Sequence, residues 1–199
     1  MEFSLARPDV VRAINQRWLL KAWIHDKGSH RIPLWQSVDA EDLSRLAGSL
    51  SILQVVGVNG GTRFLIRFHG KAIAEAYGSP DCTGKYLDEV VPGNDGTAAH
   101  LAPYQQALES GQPIYTIHDV TGRDRRLVHY ERLLLPYGRD GKNVDHILAA
   151  FEFVCTDGGF DRQALMKMPA IPPALRLSAK IAPSAWAPGL PDAARGERR

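Results

Sequence analysis

Residues 51–70 read SILQVVGVNGGTRFLIRFHG. The first eight are mostly apolar and rich in β-branched residues, and Asn59-Gly60-Gly61 follows. From Arg63 the pattern alternates: Phe64, Ile66 and Phe68 on one side, Arg63, Arg67 and His69 on the other. Two strand-like runs around an Asn-Gly turn predict a β-hairpin. Its apolar side, Phe64, Ile66 and Phe68, is expected to face the core.

Outward from the hairpin, the periodicity changes on both sides. Before it, Val11, Ile14, Trp18 and Ala22 recur at helical spacing after Pro8, with Leu19 and Trp23 widening the stripe, and the pattern stops at Gly28. This predicts an amphipathic first helix, and Asp39 opens a second as far as Leu46. After the hairpin come Lys71–Tyr77, a helical turn at Tyr86–Val90, and a longer helix over Asn94–Glu109. Three strand-like runs then follow, at Ile114–Val120, Arg126–Leu135 and Val144–Val154. Strands grouped around a central set of helices predict an α+β fold with a five-stranded antiparallel sheet. Its short helices are inserted between strands 2 and 3, and helices also precede the sheet. The division is a helical extension over 1–50, a domain over 51–156 and a tail over 157–199.

The tail is compositionally distinct. Residues 160–199 hold six of the 13 prolines, and seven Lys/Arg against three Asp/Glu, giving +4. The remainder is −2, from a total of +2. That mildly acidic body excludes binding dominated by nucleic-acid phosphates. The prolines predict an extended or disordered tail with one short helix near 174–181. Neither a secretory signal nor a membrane span is found, so a cytoplasmic protein is expected.

Catalytic motifs are sparse. Cys82 and Cys155 have no metal-ligand spacing, and Cys82 reads as a surface-loop thiol. No nucleophile elbow, phosphate loop or zinc helix is found. Three weaker arrangements remain. His129 and Glu131 share a strand face and can form an acid/base pair. His100 on the longest helix can ligate a haem iron. Tyr77, Tyr86, Tyr104 and Tyr130 can line a pocket with paired hydroxyls.

Several segments together resemble a PAS-like family of small alphaproteobacterial proteins. They are Trp23, the stretch Gly28–Pro33, Val38–Leu43, Phe64–Gly70, Ala76-Tyr77-Gly78 with Thr83–Leu87, and Leu133–Pro136 followed by Val144–Val154. The resemblance implies a non-enzymatic sensory or regulatory module that binds a small molecule or a partner protein. With about 40 residues of tail, it would signal in trans rather than through an attached output domain. The pocket is then expected between sheet and helices, lined by Phe64, Ile66, Phe68, Leu101, Tyr104 and Ile117. No cofactor is specified. The first helix lies outside the minimal fold and is expected to pair two copies.

Overall fold

The computed structural model describes residues 2–58, 60–79, 81–90, 96–122, 124–163, 165–166 and 171–182. Seven strands form one sheet: β1 (Ser4–Ala6), β2 (Leu50–Val58), β3 (Gly61–His69), β4 (Ile114–Thr121), β5 (Leu127–Tyr137), β6 (His146–Cys155) and β7 (Ile171–Ile181). Their order is β1-β7-β4-β5-β6-β2-β3. The helices are α1 (Ile14–Lys27), α2 (Ala40–Leu46), α3 (Lys71–Tyr77), α4 (Leu87–Val90) and α5 (Gly96–Ser110).

Local chemistry accounts for most element ends. Asp39 caps α2 by accepting from the Glu41 amide at 2.7 Å. α3 ends at Gly78, whose φ of 57° closes the helix in the left-handed region. β2 and β3 pair as the expected hairpin, and β2 also pairs with β6. The strands anticipated from the sequence are β2 to β6, and every pairing among them is antiparallel.

The expected count of five strands is corrected to seven. β7 pairs antiparallel with β4, and β1 lies parallel to β7. Residues 174–181, expected to form a helix in a loose tail, are therefore strand. Pro172 and Pro173 fall where the β4–β7 register shifts, between Asp119↔Ala174 and Thr121↔Ile171. An irregularity of this kind accommodates residues that cannot donate to a ladder. The tail beyond residue 182 and the expected helix start at Asn94 lie outside the described residues.

α1 begins at Ile14, not Pro8, and residues 8–10 form a separate 3-10 turn. Its buried residues are Gln16, Leu19, Leu20 and Trp23, whereas Ile14 is 84% exposed. Of the predicted stripe, Leu19 and Trp23 are buried and Trp18 and Ala22 partly so, while Ile14 turns outward. The buried side covers the sheet of its own chain. The Trp23 indole donates to the Pro136 carbonyl at 2.7 Å, and Gln16 donates to the carbonyls of Glu131 and Ala150. Trp18 lies beneath the Arg45 guanidinium. The apolar face expected to join two copies is spent within one.

With α1 on one face and α5 packed against β4, β5 and β6, β5 is covered on both sides. Of the ten consecutive residues 128–137, nine are buried and His129 is half-buried between them. This is why β5 lacks the alternation of a half-wet strand. Among the described residues, no helix is long and apolar enough to cross a membrane.

Candidate functional site

The face of the sheet under α3 and α5 can be read from its pairings. Directly opposed residues share a face. Thr116 opposes Arg132, His118 opposes Tyr130, and Arg132 in turn opposes Phe151. Thr116, His118, Tyr130, Arg132 and Phe151 therefore project together. From above, α3 supplies Tyr77, and α5 supplies His100 and Tyr104.

These side chains form a buried polar cluster inside an apolar core. The Tyr77 and Tyr130 hydroxyls lie 3.0 Å apart. Arg132 is 1% exposed. Its Nε donates to Thr116 Oγ1 at 3.3 Å, and its guanidinium carbon lies 5.0 Å from the centre of the Tyr104 ring. Arg132 Nη1 has no hydrogen-bond partner among the described residues. The His100 ring lies 6.2 Å from that of Tyr104 and 6.4 Å from that of Tyr77.

Burial sets the protonation of the cluster. Burial, then the Arg132 charge, pulls His100 down to about 3. The same two causes pull His118 down to about 4, against a weaker opposing pull from Asp119. Burial pushes Tyr77 up to about 12 and Tyr104 and Tyr130 above the usual phenol range. At neutral pH the imidazoles and phenols are uncharged, so Arg132 supplies the cluster's formal charge.

Beside the cluster lies a cavity of about 30 Å³, lined by residues including Ser51, Leu53, Ile66, His69, Ile73, Tyr77, Cys82, His100, Tyr104 and Phe151. That is room for roughly two waters. Ser51 Oγ and His69 Nδ1 meet there at 3.1 Å. Cys82, expected on a surface loop, is 4% exposed, and burial raises its thiol pKa.

Of the expected pocket residues, the structure places Ile66 and Tyr104 in the cavity wall. Phe64 is buried behind them, 5.7 Å from the Tyr104 ring. Leu101 packs against the core without being among the described lining residues. Phe68 and Ile117 face elsewhere. Ile117 opposes Glu131, on the α1 side of the sheet. Phe68 is turned out by a bulge: Leu53 pairs with Ile66 but Ile52 pairs with Phe68, leaving Arg67 as an extra residue. A bulge reverses the parity beyond it. It sends Phe68 outward, 37% exposed, and brings His69 into the cavity. Ile66→Val should therefore cost about 1 kcal/mol, while Phe68→Leu should stay within about 0.5 kcal/mol. Urea midpoints of the two variants check this; equal losses would refute the bulge assignment.

His129 and Glu131 are also on the α1 face, away from the cavity. His129 Nδ1 lies 2.8 Å from Asp119 Oδ1, and Asp119 Oδ2 holds Arg176 of β7 at 3.3 Å. Glu131 accepts from the Tyr115 hydroxyl at 2.6 Å. Each is engaged in structure, which corrects the expectation of a cavity acid/base pair. His100 does reach the cavity, but a haem needs several hundred Å³, of the order of ordinary ligand pockets. Tyr86 lies outside the cluster, with the Arg63 guanidinium 3.7 Å from its ring centre. Among the described residues, no cluster of three or more His, Cys, Asp or Glu is arranged to hold a metal.

Sequence reasoning missed Arg132. The signal was its place in Tyr130-Glu131-Arg132-Leu133-Leu134-Leu135, where two adjacent charges must face opposite sides of a strand buried on both.

Comparison with known proteins adds one match. Residues 56–154 match the model of a family described as the PAS fold. The matched span runs from within β2 to the end of β6, so it contains the cavity-forming helices and leaves α1, β1 and β7 outside. No curated protein matches the chain.

Proposed function

We propose that this chain, with a PAS fold over residues 56–154, is a sensory module that reads a small molecule beneath α3 and α5. The PAS domain suggests signalling, and such domains are typically non-enzymatic. The observation that carries the reading is the polar cluster in the core. Tyr77, His100, Tyr104, Tyr130 and Arg132 occupy positions where leucine and phenylalanine would pack at no desolvation cost. They adjoin a cavity of about 30 Å³, which limits a ligand to a few heavy atoms.

The responding element is α5. Pro103 lies inside it and has no amide hydrogen to give the carbonyl of Ala99. The helix is thus weakened next to Tyr104, the side chain that lines the cavity. A ligand that favours one position of α5 shifts the population towards it and changes the surface offered to a partner protein. The side of α1 away from the sheet carries Arg17, Lys21 and His25 beside the exposed Ile14, a mostly polar face on which to pair two copies. The haem and acid/base readings have no comparable support in the geometry around His100, or around Glu131 and His129.

The test is thermal unfolding against a panel of polar solutes of up to about six heavy atoms, including acids, amides and alcohols. At least one is expected to raise the wild-type midpoint saturably. It should lose that effect in Cys82→Met, which fills the cavity. A panel without effect would withdraw the small-molecule reading.

A further inference from the structure

Arg132 is a buried cation with no ion pair among the described residues. A cation taken out of water costs several kcal/mol unless an opposite charge accompanies it. Glu131, adjacent in sequence, faces the other side of the sheet and is engaged by Tyr115. No ion pair to Arg132 is found among the described residues. The titratable groups that bear on Arg132 are Tyr77, Tyr104 and Tyr130, and it in turn bears on His100 and His118. All five are neutral at pH 7. Thr116, the Tyr104 ring and a hydrogen bond with the Tyr104 side chain satisfy part of the guanidinium, and Nη1 has no partner among the described residues. A guanidinium presents parallel N–H donors that match a planar group with two oxygens.

The adjoining space limits the size of any anion that could reach the guanidinium. Tyr104 borders the cavity and also has the guanidinium over its ring. The cavity's 30 Å³ admits a few heavy atoms and no more without rearrangement.

We propose that Arg132 is the recognition residue for a small planar oxyanion, a carboxylate of formate or acetate size, which enters from the cavity past Tyr104. This rests on the sensory reading above and names its ligand class. Entry past Tyr104 acts on α5 beside Pro103, so the same step that neutralises the guanidinium moves the responding helix.

The experiment uses the full chain in a buffer free of small oxyanions, at constant ionic strength. Sodium formate, acetate, nitrate and bicarbonate are titrated against the neutral isosteres formamide and acetamide. Thermal midpoint and the imidazole resonances of His100 and His118 are followed together. A carboxylate is expected to stabilise saturably and its amide at least tenfold more weakly. Because the anion offsets the Arg132 charge, both histidines should titrate at higher pH when it is bound. Arg132→Met removes both responses, and Arg132→Lys, which keeps the charge without the fork, weakens them. Should Arg132→Met fail to fold, the wild-type histidine shifts and Arg132→Lys decide. Response to nitrate or bicarbonate with none to the carboxylates would overturn the carboxylate assignment in favour of an inorganic oxyanion. Stabilisation by anions that persists in Arg132→Met would overturn the proposal. So would amides binding as well as acids, and that result leaves the sensory reading standing. No response to any solute ends both.

Discussion

Urea is expected to unfold the wild-type protein at a much lower concentration at pH 5 than at pH 7.5. The cause is the pair His100 and His118, whose folded values are about 3 and about 4. An imidazole in the unfolded chain titrates near 6.5. Below about pH 6.5 the unfolded chain takes up protons that the folded chain refuses. The stability these groups contribute is complete above that pH and is lost as pH falls towards their folded values. At pH 5 each group has lost about 2 kcal/mol, so the pair has lost about 4 kcal/mol. That is a large part of the 5–15 kcal/mol typical of a domain. His69, also lowered by burial, acts in the same direction. The half-buried Asp145 and the turn residue Asp140, both lowered, lose their contribution only at more acid pH and do not confuse the window. His100→Gln and His118→Gln should each flatten the pH dependence by about half. A midpoint that holds constant between pH 7.5 and pH 5 would show that the imidazoles are hydrated.

Gly70→Ala is expected to cost about 3 kcal/mol. The backbone there is ordinary, with φ −67° and ψ 146°, so conformational freedom is not the issue. Space is. A Cβ would lie 2.4 Å from the carbonyl oxygens of both Ala47 and Gly48. These are backbone atoms in the turn that leads into β2, and Gly70 donates its own amide to Leu50 at 2.9 Å. Neither side can give way without disturbing the β2–β3 hairpin. Gly57→Ala is the control, since a Cβ there meets nothing within 4 Å. Its urea midpoint should stay near wild type. A Gly70→Ala protein equally close to wild type would show that the two segments separate easily.

The hairpin, the short helices and the α+β class were legible because each rests on local rules. Asn-Gly makes a turn, Gly78 ends a helix, and apolar spacing marks a face. What was not legible depends on partners distant in sequence. The bulge at Arg67 leaves no mark in the alternation of residues 63–69, so Phe68 was assigned to the core and His69 to solvent. Ile117 was assigned to the pocket because nothing local distinguishes the two faces of a strand covered on both. Pro172 and Pro173 argued against a strand, and the β4–β7 irregularity that admits them requires β4 to be in place. The polar cluster was half visible, through its tyrosines and His100. Arg132, which supplies its charge, was not, because a charged residue in a strand ordinarily faces water.

The parallel pairing of β1 with β7 has a mechanical consequence. Ser4 lies beside Ala179 and Ala6 beside Ile181, so the two strands run in the same direction at the sheet edge. Tension between the amino-terminal side of β1 and the carboxyl-terminal side of β7 pulls these neighbours along their length in opposite senses. It loads their hydrogen bonds together in shear, instead of opening them one at a time as in a zipper. The short β1 thereby acts as a clasp that resists stretching along the chain ends while leaving the sheet free to yield to forces applied across it.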